Sequence, residues 1–136
     1  MSTMMLEIVT PERKIYGKEV NMVIAKGIEG ELGILPNHIP MVTPLQIAAV
    51  KAKIDGQEDQ VIAVHGGFME IRKDKVVILA ESAELPNDID TQRASQSKDR
   101  AEARMQETKQ EKVDFGRAQR SLQRAMLRIK IKNDDL

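Results

Sequence analysis

The sequence contains no cysteine and no tryptophan, and only 2% of its 136 residues are aromatic. Without cysteine the chain forms no disulfide, offers no thiolate nucleophile and holds no Cys-ligated metal. So few aromatic side chains argue against a platform on which nucleic-acid bases stack. Lys+Arg and Asp+Glu each number 21, so the net charge of zero provides no overall attraction to nucleic acid. We therefore expect no nucleic-acid partner.

The chain also has no apolar run long enough to span a bilayer and no signal-peptide pattern at its start. With the absence of cysteine, this predicts a reducing, cytoplasmic setting. There is no P-loop motif and no HExxH zinc motif. The two histidines, His38 and His65, lie in the turn-like segments LPNHIP and VHGG without identifiable catalytic partners. We expect both to be structural or interfacial, and we expect no catalytic residue, no metal site and no enzyme.

Charge is divided unevenly along the chain. Residues 1–90 contain 9 basic and 14 acidic residues, whereas residues 91–136 contain 12 basic and 7 acidic residues. The two parts therefore carry net charges of −5 and +5. Opposite charges of this kind indicate two modules that attract each other, or a basic tail meant for an acidic partner.

The pattern of apolar residues changes near residue 86. Before it, short apolar runs are separated by turn signals at Asp55-Gly56 and Lys73-Asp74, which predicts an antiparallel β-sandwich or barrel. After it, glycine and proline nearly vanish and helix-forming residues dominate. Two helices, over about 90–111 and 114–131, are predicted to form an antiparallel hairpin.

The second predicted helix carries two stripes at helical spacing. The apolar stripe consists of Phe115, Ala118, Leu122, Ala125, Met126 and Ile129. The basic stripe, centred roughly 140° away, consists of Arg117, Arg120, Arg124 and Arg128. Like charges at this spacing repel by ~0.2–0.5 kcal/mol per pair. The stripe is either a solvated face or a surface for an acidic protein or a polyphosphate, both of which guanidinium groups match.

The segment GELGILPNHIPMVTPL is unusually rich in glycine and proline. Because proline removes a hydrogen-bond donor and restricts φ, we expect no regular central strand here. The segment is either a rigid crossing between sheets or an apolar loop presented to a partner. In the second interpretation the partner-facing residues are Gly33, Ile34, Leu35, Pro36, His38, Pro40 and Met41.

Six segments in order carry a family resemblance: IVTPE, GELGILPNHIPMVTPL, IAVHGGFMEIR, KVVILAESAE, DIDTQRA and RAQRSLQRAMLRI. Over essentially its full length the chain resembles the bacterial epsilon subunit of the F-type ATP synthase. The resemblance implies an α+β fold, with an N-terminal antiparallel β-sandwich over 1–86 and a C-terminal antiparallel α-helical hairpin over 87–136. Asn37 stands where many relatives have glycine, and we expect it to adopt a positive φ. Gly116 is also less typical of the family.

The resemblance further implies a non-catalytic rotor subunit of the central stalk, on the cytoplasmic face of the cell membrane. The sandwich would join the gamma subunit to the ring of c subunits, with the glycine- and proline-rich loop facing a partner. The hairpin would act as a movable brake on ATP hydrolysis, either compact or extended toward the catalytic alpha and beta subunits. Membrane association would occur only through the complex.

Similar proteins bind ATP on the compact form through an I/L-D-x-x-R-A motif. By position, the resemblance implies an ATP site at Glu84, Ile89, Asp90, Arg93, Ala94, Arg100, Arg124 and Arg128. ATP would be a regulatory ligand, and its dependence on magnesium is left open. Two alternatives remain: the motif serves only hairpin packing, or the chain is a stand-alone ATP-binding sensor.

Overall fold

The computed structural model describes residues 2–108 and 115–133, apart from the side chains of residues 107 and 108. The chain forms two compact units, Met1–Leu85 and Pro86–Leu136. The boundary expected from the sequence, between residues 86 and 87, lies one residue later.

The described part of the first unit contains eight strands, joined by hydrogen bonds in the order β2-β1-β7-β6-β5-β3-β4, with β8 also paired to β6. The strands are β1 (Met4–Val9), β2 (Lys14–Val20), β3 (Met22–Gly27), β4 (Gly30–Ile34), β5 (Met41–Lys53), β6 (Gln60–Ile71), β7 (Lys75–Ala80) and β8 (Ala83–Glu84). Side chains alternate between the core and the outside, as the two-residue period of a strand requires. In β1, for example, Met4, Leu6 and Ile8 are buried.

Both hairpins predicted from turn signals are confirmed. At the first, the amide of Gln57 donates to the carbonyl of Ile54 over 3.1 Å, and Gly56 has a φ of 77°. At the second, the amide of Arg72 donates to the carbonyl of Lys75 over 2.8 Å. Glycine accepts the positive φ without steric cost, which is why Asp-Gly marks the first turn.

The antiparallel sandwich is confirmed except for one parallel pair, β1 with β7, among the described strands. Parallel strands are usually joined through a helix, but this pair is not. A parallel pair needs a long crossover connection of some kind. Here the five strands between β1 and β7 provide it, so no helix is required.

Glu7 of β1 forms ion pairs with residues on both neighbouring strands, β2 and β7. Its Oε1 lies 2.9 Å from Nζ of Lys75 on β7 and 3.7 Å from Nζ of Lys14 on β2. The hydrogen bond from Lys75 lowers the pKa of Glu7 below its ordinary value. The ion pair therefore stabilises the fold above the ordinary pKa of glutamate, and this contribution is lost as pH falls through the lowered pKa.

Pro44 corrects the expectation of irregular structure throughout the glycine- and proline-rich segment. The segment is irregular only between Ile34 and Met41, and Pro44 lies inside β5, opposite Phe68 of β6. Its carbonyl accepts from the amide of Ile28 over 3.3 Å. Pro44 is the fourth residue of β5, and proline is tolerated near the start of a strand, where few ladder bonds depend on its missing amide.

A double-glycine bend interrupts β6 after His65. Gly66 and Gly67 have φ values of 81° and 130°. In the segment between β7 and β8, the amide of Glu81 donates to the carbonyl of Gly66 over 3.1 Å, and the carbonyl of Ser82 accepts from the amide of His65 over 2.9 Å. A β-carbon on Gly67 would lie 2.1 Å from the carbonyl oxygen of Leu79. This close approach of two backbones requires glycine.

The second unit begins with a short 3-10 helix, Pro86–Asp88, followed by α1 (Thr91–Thr108) and α2 (Phe115–Lys132). The two helices form the predicted hairpin. Nζ of Lys132 donates to the carbonyl of Pro86 over 2.8 Å, so α2 ends beside the start of the unit. The predicted break at 112–114 lies outside the described residues. The helices bury small side chains at Ala94, Ala101, Ala118 and Ala125.

The apolar stripe predicted for α2 is partly wrong. Ala118 and Ala125 are buried as expected, but Phe115 and Met126 are exposed. Leu127 and Ile131, which the predicted stripe omitted, are buried instead. Leu127 lies ~180° around the helix from Ala118, at ~100° per residue. The helix therefore buries residues on two opposite sides, and the predicted stripe covers one of them.

Replacing Gly67 by alanine is expected to lower the free energy of unfolding by about 3 kcal/mol or more, because it combines backbone strain with overpacking. Gly56→Ala is the matched control. Its φ has the same sign, but a β-carbon at Gly56 would meet no atom within 4 Å, so the expected cost is ~1–2 kcal/mol. Urea unfolding of both variants measures the difference, and equal losses would contradict the role of the Leu79 contact.

Candidate nucleotide and partner sites

The I-D-x-x-R-A motif forms the capped start of α1. Oδ1 of Asp90 accepts from the backbone amide of Arg93 over 3.1 Å, and the carbonyl of Asp90 accepts from the amide of Ala94 over 2.9 Å. Asp90 is therefore the N-cap residue, and its negative charge also suits the positive end of the helix dipole. Ile89 and Ala94 are buried, whereas Arg93 is exposed. The motif thus has a local structural function independent of any ligand.

Two of the candidate arginines make the same local contact on different helices. Nη2 of Arg100 donates to Oγ of Ser97 over 3.1 Å, and Nη2 of Arg124 donates to Oγ of Ser121 over 3.3 Å. In each pair the serine lies three residues earlier, the direction in which helical side chains lean. A guanidinium has five N–H donors, so one such bond orients the group while leaving capacity for phosphate oxygens.

The four candidate arginines lie at two different distances along the hairpin axis from the end marked by Asp90 and Lys132. With ~1.5 Å rise per residue, Arg93 and Arg128 each lie ~5–6 Å from the end of the hairpin marked by Asp90 and Lys132. Arg100 and Arg124 lie ~12–15 Å from that end by the same rule. Each level therefore takes one arginine from each helix.

The basic stripe predicted for α2 is not uniform in exposure. The helix Phe115–Lys132 contains the four arginines of the basic stripe and two lysines, with no Asp or Glu. Arg117 and Arg120 are exposed, whereas Arg124 and Arg128 are half-buried. The half-buried pair is the one shared with the candidate nucleotide site.

Glu84 is the one candidate ATP residue that belongs to the first unit. It is half-buried on β8, and its Oε1 lies 2.8 Å from Nε2 of His65 on β6. The sequence patterns did not predict this pair. The register of β6 with β8 pairs Ala63 with Glu84, and the double-glycine bend starts directly after His65.

The loop between β4 and β5 presents apolar side chains from a rigid turn. Asn37 has a φ of 69°, which confirms the prediction, and the amide of His38 donates to the carbonyl of Leu35 over 3.2 Å. With Pro36 and Asn37 at its centre, this arrangement fits a type II turn. The amide of Asn37 also donates to the carbonyl of Lys73 over 2.8 Å, which fastens the loop to the β6–β7 turn.

Most but not all of the predicted partner-facing residues are accessible. Leu35, Pro40 and Met41 are exposed, and the neighbouring Ile39 is 78% exposed. Gly33 is exposed, whereas Pro36 and His38 are half-buried. Ile34 must be removed from the set, because it ends β4 in the core with 1% exposure. Nδ1 of His38 donates to the carbonyl of Ile39 over 2.7 Å, so its ring is held locally.

A second apolar surface lies on the outer face of the sheet. Strand register aligns Pro44, Phe68, Leu79 and Val9 in one row across β5, β6, β7 and β1. Phe68 and Leu79 are 55% and 53% exposed. They line a shallow groove of about 360 Å³ with Val9 and Pro11. The segment GGFMEIR contained the signal, since inward Met69 and Ile71 force Phe68 outward.

Both units of the chain match domains of one known protein family. The β-sandwich domain of the ATP synthase delta/epsilon chain matches residues 3–86, and the long α-helix domain of that chain matches residues 87–133. The chain belongs to the ATP synthase delta/epsilon family. The match divides at the same place as the compact units to within one residue.

Individual relatives agree with the family. The chain is similar to the ATP synthase epsilon chain of Halalkalibacterium halodurans, with 53% identity over 96% of this chain and 98% of the relative. It is also 53% identical to the epsilon chain of Bacillus cytotoxicus over 98% of both chains. The fold is similar to a chain in the mitochondrial ATP synthase of Euglena gracilis, with a TM-score of 0.76, 21% identity and coverage of 90% and 77% of the two chains.

Membrane-spanning and metal-binding features are both absent from the described residues. No helix in these ranges is long and apolar enough to cross a membrane. No group of three or more His, Cys, Asp or Glu side chains within them is suited to a metal ion.

Two substitutions of Asp90 distinguish how much its capping hydrogen bond and its negative charge each contribute to hairpin stability. Asp90→Ala is expected to lower the stability of the hairpin by ~1 kcal/mol, because it removes the acceptor for the amide of Arg93. Asp90→Asn keeps a good capping side chain and is expected to retain most of that stability. Thermal unfolding followed by far-ultraviolet circular dichroism measures both. If the two variants lose equal stability, the carboxylate charge rather than the cap is responsible.

Proposed function

We propose that the chain is the central-stalk rotor subunit of a proton-translocating F-type ATP synthase, coupling the gamma subunit to the ring of c subunits. It would lie at the cytoplasmic face of the cell membrane as a peripheral component, with catalysis on other subunits. The observation that carries this proposal is the match of both units, in order, to the two domains of the family.

The sandwich has two groups of exposed apolar side chains suited to such coupling. One is the loop with Leu35 and Ile39, and the other is the outer row with Phe68 and Leu79. Exposed apolar patches of this kind mark interaction sites. A unit that carries two of them on a hydrogen-bonded sheet can connect two partners and transmit torque between them. A chain of similar fold from Tetrahymena thermophila belongs to a complex described as the central stalk and c-ring of its ATP synthase.

The hairpin is proposed to inhibit ATP hydrolysis by the parent complex when it extends toward the alpha and beta subunits. Each described helix has 18 residues and is ~27 Å long, so the two placed end to end would reach ~54 Å. The six cations of α2, with no acid among them, suit an acidic surface in that state.

The compact hairpin is suited to switching because few of its side chains are buried. Four alanine methyl groups at Ala94, Ala101, Ala118 and Ala125 contribute ~3 kcal/mol in total, at ~0.8 kcal/mol for each buried carbon. Burial of Leu127 and Ile131 adds ~3–6 kcal/mol. A ligand at 100 times its dissociation constant adds ~2.7 kcal/mol, which is a substantial fraction of this sum.

ATP is proposed as that ligand, a regulatory one. Arg93, Arg100, Arg124 and Arg128 would contact the phosphates, and because they come from both helices, one ATP would hold the hairpin closed. Asp90 would hold the start of α1 in place, as its bond to the amide of Arg93 supports. Ile89 and Ala94, both buried, would shape the site, and Glu84 would accept from the adenine amine.

Titration calorimetry of the full chain with ATP tests the nucleotide site, with and without magnesium. We expect saturable binding that Arg93→Ala weakens about tenfold or more, since a charge-assisted hydrogen bond contributes ~1.5–3 kcal/mol. Arg117→Ala is the control, because Arg117 is an exposed cation outside the proposed site. No saturable binding at millimolar ATP would exclude both the ATP-held brake and a stand-alone ATP sensor.

Deletion of residues 87–136 tests the brake. The parent complex reconstituted with the shortened chain is expected to remain coupled and to hydrolyse ATP faster than the complex with the full chain. Steady-state hydrolysis and ATP-driven proton pumping measure the two properties. Unchanged hydrolysis in a complex that still pumps would show that the hairpin is not inhibitory in this protein.

A further inference from the structure

A side-chain hydrogen bond joins the open end of the hairpin, where α1 begins and α2 ends. Nζ of Lys132, in the last turn of α2, donates to the carbonyl of Pro86 over 2.8 Å. The two residues are 46 positions apart in the sequence, and both belong to the second compact unit. We call this hydrogen bond the closing contact. The proposed nucleotide site does not include it.

The acceptor at Pro86 belongs to a segment that is itself held in place. The same carbonyl accepts from the backbone amide of Ile89 over 3.2 Å, which closes the 3-10 turn. A carbonyl oxygen has two lone pairs, so it accepts from both donors. Ile89 is buried, and Asp90 beside it caps α1 through the amide of Arg93. The closing contact therefore ties the end of α2 to the segment that starts α1.

Lys132 is suited to a contact that breaks and forms again. The residue is exposed, and its ammonium group has three donors on a flexible stem. When the bond breaks, water replaces the carbonyl as acceptor, so the two states differ little in free energy. A hydrogen bond from a charged donor is still stronger than one between neutral groups. The closing contact therefore biases the hairpin toward the compact form without fixing it there.

We propose that the closing contact between Lys132 and Pro86 controls how often the compact hairpin opens. The two helices do not separate at this end while the bond holds, because it joins the end of α2 to the residues just before α1. The inference rests on the proposed movement of the hairpin, and it assigns a residue that favours the compact form without a nucleotide. Removing the ammonium group shifts the hairpin toward the open form in the absence of any ligand.

Lys130 provides a matched control on the same helix. Both lysines are exposed and lie in the last turn of α2, so each interacts similarly with the helix dipole. Two residues correspond to ~200° around a helix, so the two side chains leave it on different sides. Replacement by methionine removes the charge and keeps an unbranched side chain at either position. The difference between the two variants therefore reports the closing contact.

Hydrogen exchange of backbone amides in the full chain measures this opening, because exchange detects open forms that are populated only rarely. The reporters are the hydrogen-bonded amides of Ala94 in α1 and Asn133 directly after α2. We expect Lys132→Met to lower the protection of both amides about threefold or more, as loss of a solvent-screened charged hydrogen bond does. Lys130→Met should lower it less. Lys132→Arg keeps a charged donor and should stay within about twofold of the unaltered chain.

Reporters on both helices distinguish opening of the hairpin from fraying of one helix end. If Lys132→Met changes the amide of Asn133 but not that of Ala94, the proposal is wrong. It is also wrong if Lys132→Met and Lys130→Met have equal effects at both amides.

The proposed brake is tested separately in the parent complex. Lys132→Met is expected to lower steady-state ATP hydrolysis more than Lys130→Met does, because the open form is the one proposed to inhibit. If hydrogen exchange shows the expected difference between the variants while hydrolysis is equal, the closing contact stands and the proposed brake fails. If exchange shows no difference, the role of Lys132 is wrong whatever the hydrolysis rates are.

Discussion

The hydrogen-bonded ladder between β5 and β6 is the pairing on which the rest of the sandwich depends. It runs from Met41 opposite Ile71 to Ala52 opposite Gln60, and the other edge of each strand carries the remaining strands. β6 can serve both β7 and β8 only because the chain bends at Gly66 and Gly67, where a side chain would collide with Leu79. The same bend sets His65 opposite the short strand that holds Glu84. The architecture and the proposed nucleotide contact therefore share one local constraint.

The sequence predicted local structure reliably at positions where the backbone conformation permits only a few residue types. The Asp55-Gly56 turn and the positive φ of Asn37 were both predictable, because few residues tolerate that conformation. The two-module order was predictable from the loss of glycine and proline after Asn87. The parallel pairing of β1 with β7 was not, since it joins strands far apart along the chain and no local pattern encodes a partner.

Burial on single helices was harder to predict than their existence. Spacing alone predicted that Phe115 and Met126 are buried, yet both are exposed, whereas Leu127 and Ile131 are buried. Leu127 lies ~180° around the helix from the buried Ala118, so a single apolar stripe could not predict both buried sides. Likewise Ile34 could not be separated from exposed Leu35, because the strand end between them depends on the turn that follows. The pair of His65 with Glu84 depends on strand register, which the sequence pattern does not determine.

The motif at the start of α1 shows that one set of residues can satisfy two requirements. Asp90 caps the helix and Ala94 packs, whether or not a nucleotide binds. A retained motif is therefore weak support for binding on its own, and the arginines, which do not cap the helix, are the more informative residues. Serine contacts orient Arg100 and Arg124 along their helices.

The parallel pair of β1 and β7 has a consequence for synthesis of the chain. Leu6 pairs with Val76, and Val9 pairs with Leu79. The residues of β7 that pair with β1 therefore emerge from the ribosome some 70 residues after β1. β1 can pair with β2 early, but its other edge stays open until β7 is made. The hairpin, whose contacts are local, emerges last and folds quickly by comparison. During translation one edge of β1 therefore stays unpaired until β7 is made, and the helices are synthesised after the eight described strands.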